Sequence, residues 1–139
     1  MQIIKNLLQE LYQKNNQLIV YLLIGALSAS LDFLVFNILI KYIFLPYILA
    51  NAISVNFGIL NSFFLNLNYN FKTKNLILKR FVLFYLVGAS GLLLSSALLF
   101  FLVDHMLLNK SFSKLITIFF VAFFQFSLNK LITFKSNTQ

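Results

Sequence analysis

The chain has 139 residues, of which 60% are hydrophobic and only 10% are charged, and its mean hydropathy is +0.89. A soluble domain of this size cannot bury so much apolar surface, so the composition excludes a soluble globular protein. The formal net charge is +8, and the absence of cysteine excludes disulfides and thiolate metal sites.

The first 16 residues predict a short amphipathic helix that lies at the membrane surface. Their apolar side chains recur at helical spacing, at Ile3, Ile4, Leu7, Leu8 and Leu11. Polar and charged residues occupy the rest of this helix. The segment lacks an uninterrupted apolar core and a small-residue cleavage site, so we do not expect a cleaved signal peptide.

Four apolar stretches are long enough to cross a bilayer, whose hydrocarbon core of roughly 30 Å needs about 20 helical residues. They run from about Leu18 to Ile40, Leu45 to Leu67, Phe81 to Val103 and Phe112 to Phe134. The predicted fold is therefore an all-α membrane protein with four transmembrane helices in a single membrane domain, residues 1–139.

The basic residues predict the orientation of these helices. Eight of the eleven Lys and Arg residues lie before the first span, between the second and third, or at the end of the fourth. Because cytoplasmic loops are enriched in Lys and Arg, we expect both termini and the middle loop to be cytoplasmic. Topology and contact with anionic lipid then account for the net charge, and we expect no nucleic-acid partner.

The sequence aligns with itself at an offset of 63 residues without a gap. The identical pairs include Gly25 and Gly88, Asn66 and Asn129, Phe71 and Phe134, and Lys72 and Lys135. We interpret the chain as two tandem two-helix repeats, residues 17–79 and 80–139, which share one orientation because two spans return the chain to its starting side. A binding site where the repeats meet is the expectation, and a four-helix scaffold without a cavity is the alternative.

Polar side chains follow one face of the second span and the matching face of the fourth. The members of this set that we expect to contact a substrate are Asn51, Asn61, Asn66, Lys114, Gln125 and Asn129. Amides that face lipid cost free energy, whereas amides along a wet groove can be satisfied; a structural hydrogen-bond seam would explain one or two of them. Asp32 is the only acidic residue deep within a span, and it could pair with a lysine, balance a substrate or carry a proton.

Three further groups of residues complete the expected site and its surroundings. Positive charge for a phosphate is expected at the cytoplasmic rim from Lys72 and Arg80. Interfacial aromatic anchors are expected at Tyr69, Phe71 and Phe134. Close helix packing is expected at Gly25, Gly88 and Gly91.

Catalytic chemistry has few candidate residues. The acidic residues are Glu10, Asp32 and Asp104, in three separate places, and the only histidine is His105 in a predicted loop. The sequence therefore offers no carboxylate pair, no nucleophile–base couple, no metal-ligand cluster and no Walker-type nucleotide-binding motif. We expect no enzyme activity, no cofactor and no metal.

Much of the sequence resembles the GtrA-like family of small bacterial membrane proteins. The stretches that carry the resemblance are YLLIGALSASLDFLVFNILI, LPYILANAISVNFGILNSFFLNLNYNF, RFVLFYLVGASGLL and KLITIFFVAFFQFSLNKLITF. The resemblance implies a bacterial inner-membrane protein that moves a polyprenyl-phosphate-linked monosaccharide, such as undecaprenyl-phosphate glucose, to the outer leaflet for polysaccharide or teichoic acid glycosylation. It also implies that Asn66, Phe71, Asn129 and Phe134 form the family's paired endings and that Lys114 is its lysine at the start of the last helix.

Two other functions remain open at this point. One is a proton-coupled small multidrug-type exporter, in which Asp32 would titrate during transport. The other is a non-transporting membrane subunit that docks or stabilises a glycosyltransferase. Four helices are too few to enclose a wide aqueous pore, so we expect a groove open to membrane lipid or a homo-oligomer.

Overall fold

Four long helices form the computed structural model, which describes the backbone of residues 1–69 and 76–136 and the side chains of these ranges up to Leu128. The helices are α1 (Gln2–Lys41), α2 (Tyr47–Tyr69), α3 (Ile77–Phe100) and α4 (Lys110–Ser136), and a π-helical turn, Phe101–His105, extends α3. Each of the four contains a stretch long and apolar enough to cross a membrane. The four predicted spans are confirmed, and the protein is a multi-pass membrane protein.

α1 is one uninterrupted helix of 40 residues, about 60 Å long at 1.5 Å per residue. The short helix expected at residues 1–16 is therefore the beginning of α1 rather than a separate element. No glycine or proline precedes Gly25, so nothing in this part of the sequence ends or kinks a helix. All side chains of residues 1–19 are exposed, so no other described element covers this part of α1.

The helices pack in sequence around the bundle. α1 packs most extensively against α2, α3 packs against both α2 and α4, and α4 touches α1 over a shorter stretch. A Cβ added at Gly58 would lie 3.2 Å from the backbone oxygen of Ser28 and 3.3 Å from the Cβ of Asp32. Gly58 therefore allows the backbone of α2 to approach α1 more closely than a larger residue would.

The three glycines expected to mediate helix packing differ in their surroundings. A Cβ at Gly88 would lie 2.6 Å from Cδ1 of Ile59, and Gly91 lies against the side chains of Val121 and Gln125. A Cβ at Gly25 would meet no atom within 4 Å. Gly25 thus makes no close helix contact within the described chain, because its face of α1 points away from the other helices.

The two hairpin turns, between α1 and α2 and between α3 and α4, have the same backbone pattern. Phe44 in the first turn and Leu107 in the second both adopt the left-handed conformation, with φ of 61° and 54°. A backbone hydrogen bond closes each turn, from Leu45 N to Leu39 O over 3.1 Å and from Leu108 N to Leu102 O over 3.0 Å. Each of these residues of the first turn precedes its counterpart in the second by the same 63 positions.

Apolar clusters lie at both ends of the bundle. Near the hairpin turns, Phe36, Ala50 and Leu99 are fully buried against one another. Towards the opposite end, the ring of Phe63 packs edge-on against that of Phe81, with ring centres 5.0 Å apart. Many other large apolar side chains are exposed, as expected for helices that face lipid rather than water.

Gly58→Val should destabilise the bundle, because the added methyl groups would overlap the α1 backbone around Ser28. Overpacking of this kind costs about 1–3 kcal/mol. Thermal unfolding in detergent, followed as the loss of monodisperse protein, measures the effect. Gly25→Val is the matched control, since it makes the same substitution where space is open. Equal melting temperatures for the two variants would contradict the close α1–α2 contact.

Candidate functional site

A lysine is buried at the centre of the bundle. Lys114 lies one turn into α4, its side chain is 0% exposed, and its Nζ lies 2.7 Å from Oδ1 of Asp32 in α1. The same Nζ donates a 2.7 Å hydrogen bond to Oδ1 of Asn51 in α2. Charged groups at membrane depth are costly unless they are paired, so this ion pair explains how both can lie there.

Asn51 extends this contact to α3. Its Oδ1 also accepts a 3.1 Å hydrogen bond from Ser95 Oγ, and its Nδ2 donates a 3.2 Å hydrogen bond to Ser96 Oγ. We call Asp32, Asn51, Ser95, Ser96 and Lys114 the central polar cluster. Since its members come from α1, α2, α3 and α4, the cluster joins all four helices.

Apolar side chains close the central polar cluster on the side of the hairpin turns. The ring centre of Phe36 lies 5.2 Å from Nζ of Lys114, a distance at which the ring face attracts the cation. Phe36, Ala50 and Leu99 are each 0% exposed. Because Lys114 is itself 0% exposed, a ligand can reach its ammonium group only if the helices separate.

The central polar cluster lies in the half of the bundle nearer the hairpin turns. Asp32 precedes the last residue of α1 by nine residues, and Asn51 and Lys114 each follow the first residue of their helix by four. At 1.5 Å per residue these intervals correspond to about 14 Å and about 6 Å along the helices. Both intervals are shorter than half of a hydrocarbon layer of roughly 30 Å.

The carboxylate of Asp32 is not saturated with hydrogen bonds. Apart from the ion pair with Lys114, its Oδ1 has no hydrogen-bond partner among the described residues. The position of this oxygen therefore depends on its contact with Lys114.

Of the residues expected to contact a substrate, the structure brings Asp32, Asn51 and Lys114 together. Asn61 lies further along α2 and donates a 3.0 Å hydrogen bond to Ser28 Oγ. Asn66, near the end of α2, is buried, and its Nδ2 donates a 2.8 Å hydrogen bond to the backbone oxygen of Ser62. These α2 amides thus form a line along the helix rather than one pocket.

The remaining expected residues lie elsewhere or outside the described side chains. Gln125 packs against Gly91 between α3 and α4. Arg80 is half-buried in the first turn of α3, and Tyr69 is exposed at the end of α2. The positions that fall outside the described side chains are Phe71, Lys72, Asn129 and Phe134.

The sequence patterns did not single out Ser95 and Ser96 as site residues. Ser95 lies 63 residues after Asp32, and Lys114 lies 63 residues after Asn51. Adding the offset of 63 residues to Asp32 would have identified Ser95, although the two residues are not identical. Ser96 has no comparable signal, because serine is common in membrane helices and its partner lies on another helix.

The central polar cluster offers groups that can bind an anion and sugar hydroxyls. No three His, Asp or Glu side chains that could hold a metal lie together in the described ranges. The cluster supplies one buried cation, a carboxylate, an amide and two hydroxyl groups. A cation with nearby amide and hydroxyl groups can bind an anion and replace water around sugar hydroxyls.

Lys114→Met should lower the free energy of unfolding by about 3–5 kcal/mol, because it leaves the Asp32 carboxylate buried without a partner. Asp32→Asn combined with Lys114→Met should recover most of this loss, since no charge then remains in the cluster. Unfolding in detergent micelles measures both variants. Lys79→Met is the control, because Lys79 is exposed in α3. If Lys114→Met unfolds like Lys79→Met, the ion pair does not stabilise the bundle.

Comparison with protein families identifies most of the chain. The family model described as GtrA/DPMS, transmembrane domain, matches residues 20–134, a range that includes the whole central polar cluster. Comparisons with curated proteins and with solved structures gave no match. The family match confirms the resemblance carried by the four sequence stretches. The chain therefore belongs to the GtrA/DPMS transmembrane-domain family.

Proposed function

We propose that the protein moves a polyprenyl-phosphate-linked monosaccharide, such as undecaprenyl-phosphate glucose, from the cytoplasmic to the outer leaflet of the bacterial inner membrane. Such a step would supply sugar for cell-surface polysaccharide or teichoic acid glycosylation. Membership of the GtrA/DPMS family suggests a membrane function related to sugar-linked lipids and a protein without catalysis of its own. The observation that carries the proposal is the buried Lys114, held in contact with Asp32 and Asn51.

A lipid-linked sugar phosphate needs a cation at membrane depth. Its phosphodiester carries one negative charge, and moving that charge through hydrocarbon without a partner is costly. Lys114 provides the partner, and Asp32 acts as its counter-ion while no substrate is bound. In the proposed cycle the phosphate displaces Asp32 from Nζ, and the amide of Asn51 and the hydroxyls of Ser95 and Ser96 contact the sugar. The polyprenyl tail stays in the surrounding lipid.

The arrangement of two tandem repeats with one orientation is part of this proposal. The matched φ angles of Phe44 and Leu107 and the matched hydrogen bonds of the two turns support it. The central polar cluster supports it as well. Asp32 contacts Lys114, and the residues 63 positions away from this pair, Ser95 and Asn51, are hydrogen-bonded to each other. These paired contacts are the ones expected for a cluster at a pseudo-twofold axis that relates the repeats along the membrane normal.

The proposed orientation has both termini and the middle loop in the cytoplasm, as the basic residues predict. The N-terminal part of α1 then lies at or beyond the cytoplasmic surface. Its exposed apolar residues support a contact with the interface, and they include Ile3, Ile4, Leu7, Leu8 and Leu11. A homo-oligomer and an association with glycosyltransferases remain predictions.

The ion pair argues against a small multidrug-type exporter. Such a protein needs an acidic group that exchanges protons for a cationic drug, whereas Asp32 already has a cationic partner, Lys114, at 2.7 Å. A cationic drug would have to approach Asp32 while Lys114 stands beside it, and like charges repel strongly in a low-dielectric medium.

The double variant Asp32→Asn/Lys114→Gln tests the proposed transport. It removes both charges, so the bundle keeps its fold while the site loses its cation. In vesicles with a fluorescent polyprenyl-phosphate glucose, dithionite quenches only outer-leaflet lipid, and the quenching kinetics report transbilayer movement. We expect fast movement with the wild-type protein and at least a tenfold slower rate with the double variant, which corresponds to about 1.4 kcal/mol.

Lys14→Gln is the control for this assay, because Lys14 is exposed near the start of α1 and far from the central polar cluster. It should move lipid at the wild-type rate. A folded wild-type protein that does not accelerate movement would exclude transport and favour the non-transporting subunit. Wild-type rates in the double variant would show that the ion pair is structural only.

An exchange of the cluster between the two halves tests the repeats. In the variant Asp32→Ser/Ser95→Asp/Asn51→Lys/Lys114→Asn, each residue is replaced by the one 63 positions away. If the halves are related by a twofold axis, the ion pair reforms on the other side of the axis, between positions 51 and 95. The four-residue exchange should then unfold at a higher temperature than Asn51→Lys/Lys114→Asn, which moves only the cation. An exchange variant less stable than this two-residue variant would refute the symmetry.

A further inference from the structure

Two lysines, Lys41 and Lys110, lie at the hairpin-turn end of the bundle. They line a cavity of about 430 Å³ between the end of α1, the π-helical turn and the start of α4. The lining residues are Ile40, Lys41, Val103, Leu108, Asn109, Lys110 and Ser111. We call this space the outer cavity, since the proposed orientation places it away from the cytoplasm.

The outer cavity has two lysines in its lining and one carboxylate, Asp104, next to lining residue Val103, so positive charge is in excess there. Lys41 and Lys110 both line it. The whole sequence contains three acidic residues, and Asp32 among them is paired with Lys114. Glu10 lies in the opposite part of α1. Asp104 accepts a hydrogen bond from the hydroxyl of Tyr47, and Nζ of Lys110 lies 6.0 Å from the centre of the Tyr47 ring, so this one carboxylate offsets at most one of the two lysines.

Lysines on this side of the membrane need an explanation. Positive side chains are enriched on the cytoplasmic side, so Lys41 and Lys110 run against the general bias. Lys110 also lies at the first residue of α4, where the helix dipole disfavours a cation, and the first turn contains no acidic residue. An anionic ligand between Lys41 and Lys110 would offset both costs.

The apolar part of the lining indicates that this anion belongs to a lipid. Ile40, Val103 and Leu108 are among the lining residues, and their side chains suit a hydrocarbon chain rather than a hydrated ion. A soluble phosphate would leave these surfaces without a partner. A lipid headgroup, with phosphate next to its chain, satisfies both kinds of lining.

A hydrogen bond between α1 and α4 lies beside the outer cavity, and the buried ring of Phe36 separates this end of the bundle from the central polar cluster. Ser111, which lines the cavity, donates a 2.5 Å hydrogen bond to Oδ1 of Asn37, one turn beyond Asp32 in α1. Lys110 and Lys114 are four residues apart, so they lie on the same side of α4 about 6 Å apart along its axis. A phosphate released by Lys114 therefore meets Lys110 next when α1 and α4 separate.

We propose that the outer cavity binds the phosphodiester headgroup of a membrane lipid in the outer leaflet, with Lys41 and Lys110 contacting the phosphate. The role of an exit site for the transported sugar lipid rests on the proposed function. The headgroup site itself rests on the lining and charge of the cavity, and its place in the outer leaflet rests on the proposed orientation. The same chemistry could come from a lipid-linked sugar or from an anionic phospholipid, and the experiment separates these sources.

The chain contains no tryptophan, so Leu108→Trp introduces a single indole into the cavity lining. The full-length variant is placed in phosphatidylcholine vesicles, which contain no other tryptophan, with NBD-labelled lipid in increasing mole fraction. The NBD lipids are polyprenyl-phosphate glucose, phosphatidylglycerol and, as a neutral baseline, phosphatidylcholine. Energy transfer from the introduced indole to NBD reports lipid bound at the cavity.

Energy transfer above the neutral baseline with an anionic lipid supports the site. Lys41→Gln/Lys110→Gln should then require roughly thirtyfold more of that lipid, since the two lysines together contribute about 2 kcal/mol to the binding of an anionic lipid. Lys5→Gln/Lys14→Gln, with the same change of charge at exposed positions of α1, should behave like the parent. Selective transfer to polyprenyl-phosphate glucose supports an exit site, and equal transfer to phosphatidylglycerol supports a general headgroup site.

The proposal is overturned if both anionic lipids give no more energy transfer than NBD-labelled phosphatidylcholine. It is also overturned if Lys41→Gln/Lys110→Gln does not change the amount of anionic lipid that is needed. The transport variant Asp32→Asn/Lys114→Gln, combined with Leu108→Trp, separates this outcome from a failure of the proposed function. It should lose lipid movement but keep energy transfer from the indole, because both cavity lysines remain. If the wild-type protein binds lipid in the cavity but moves no lipid in vesicles, the proposed headgroup site stands and the proposed transport function is refuted.

Discussion

The contact between Asp32 and Lys114 is the interaction on which the rest of the bundle depends. Lipid tails are as apolar as the helices, so apolar burial gives the helices little reason to associate with one another rather than with lipid. Two unlike charges at this depth do give such a reason, since either one alone would be exposed to hydrocarbon. Through Asn51 the same contact includes α2 and α3, and the four helices are thereby held in one arrangement.

Close packing and polar contact reinforce each other around this pair. Gly58 lets the α2 backbone approach α1 beside Asp32, and Asn61 bonds to Ser28 one turn away. Without this approach, Asn51 would stand further from the ammonium group of Lys114. The arrangement also has a functional cost, because groups that hold the bundle closed are the same groups proposed to bind substrate. In the proposed cycle, binding and opening are a single event, in which one anion replaces another at Lys114.

The sequence predicts the residues that lie at membrane depth better than it predicts their partners. Asp32 and Lys114 were identifiable because charge within an apolar span is rare and costly. Pairing of Asp32 with a lysine was one of three possibilities, and the sequence could not choose between them or name the lysine, since helical periodicity gives the face of a residue but not the helix that it meets. Gly25 shows the same limit: its small size permits close packing, but only the structure shows that no helix lies there. The unbroken α1 follows from the absence of breaking residues, whereas the amphipathic pattern of its first turns had indicated a separate element.

The length of α1 has a mechanical consequence. A helix of 40 residues without a break behaves as a rod of about 60 Å, of which the hydrocarbon layer surrounds roughly half. Any tilt of this rod that draws Asp32 away from Lys114 also swings its other end, and a tilt of about 10° displaces that end by about 10 Å, given the length of the rod. The first residues of α1 therefore act as a lever. A lipid surface or a protein that binds these first residues therefore applies a torque to the Asp32–Lys114 ion pair without contacting it.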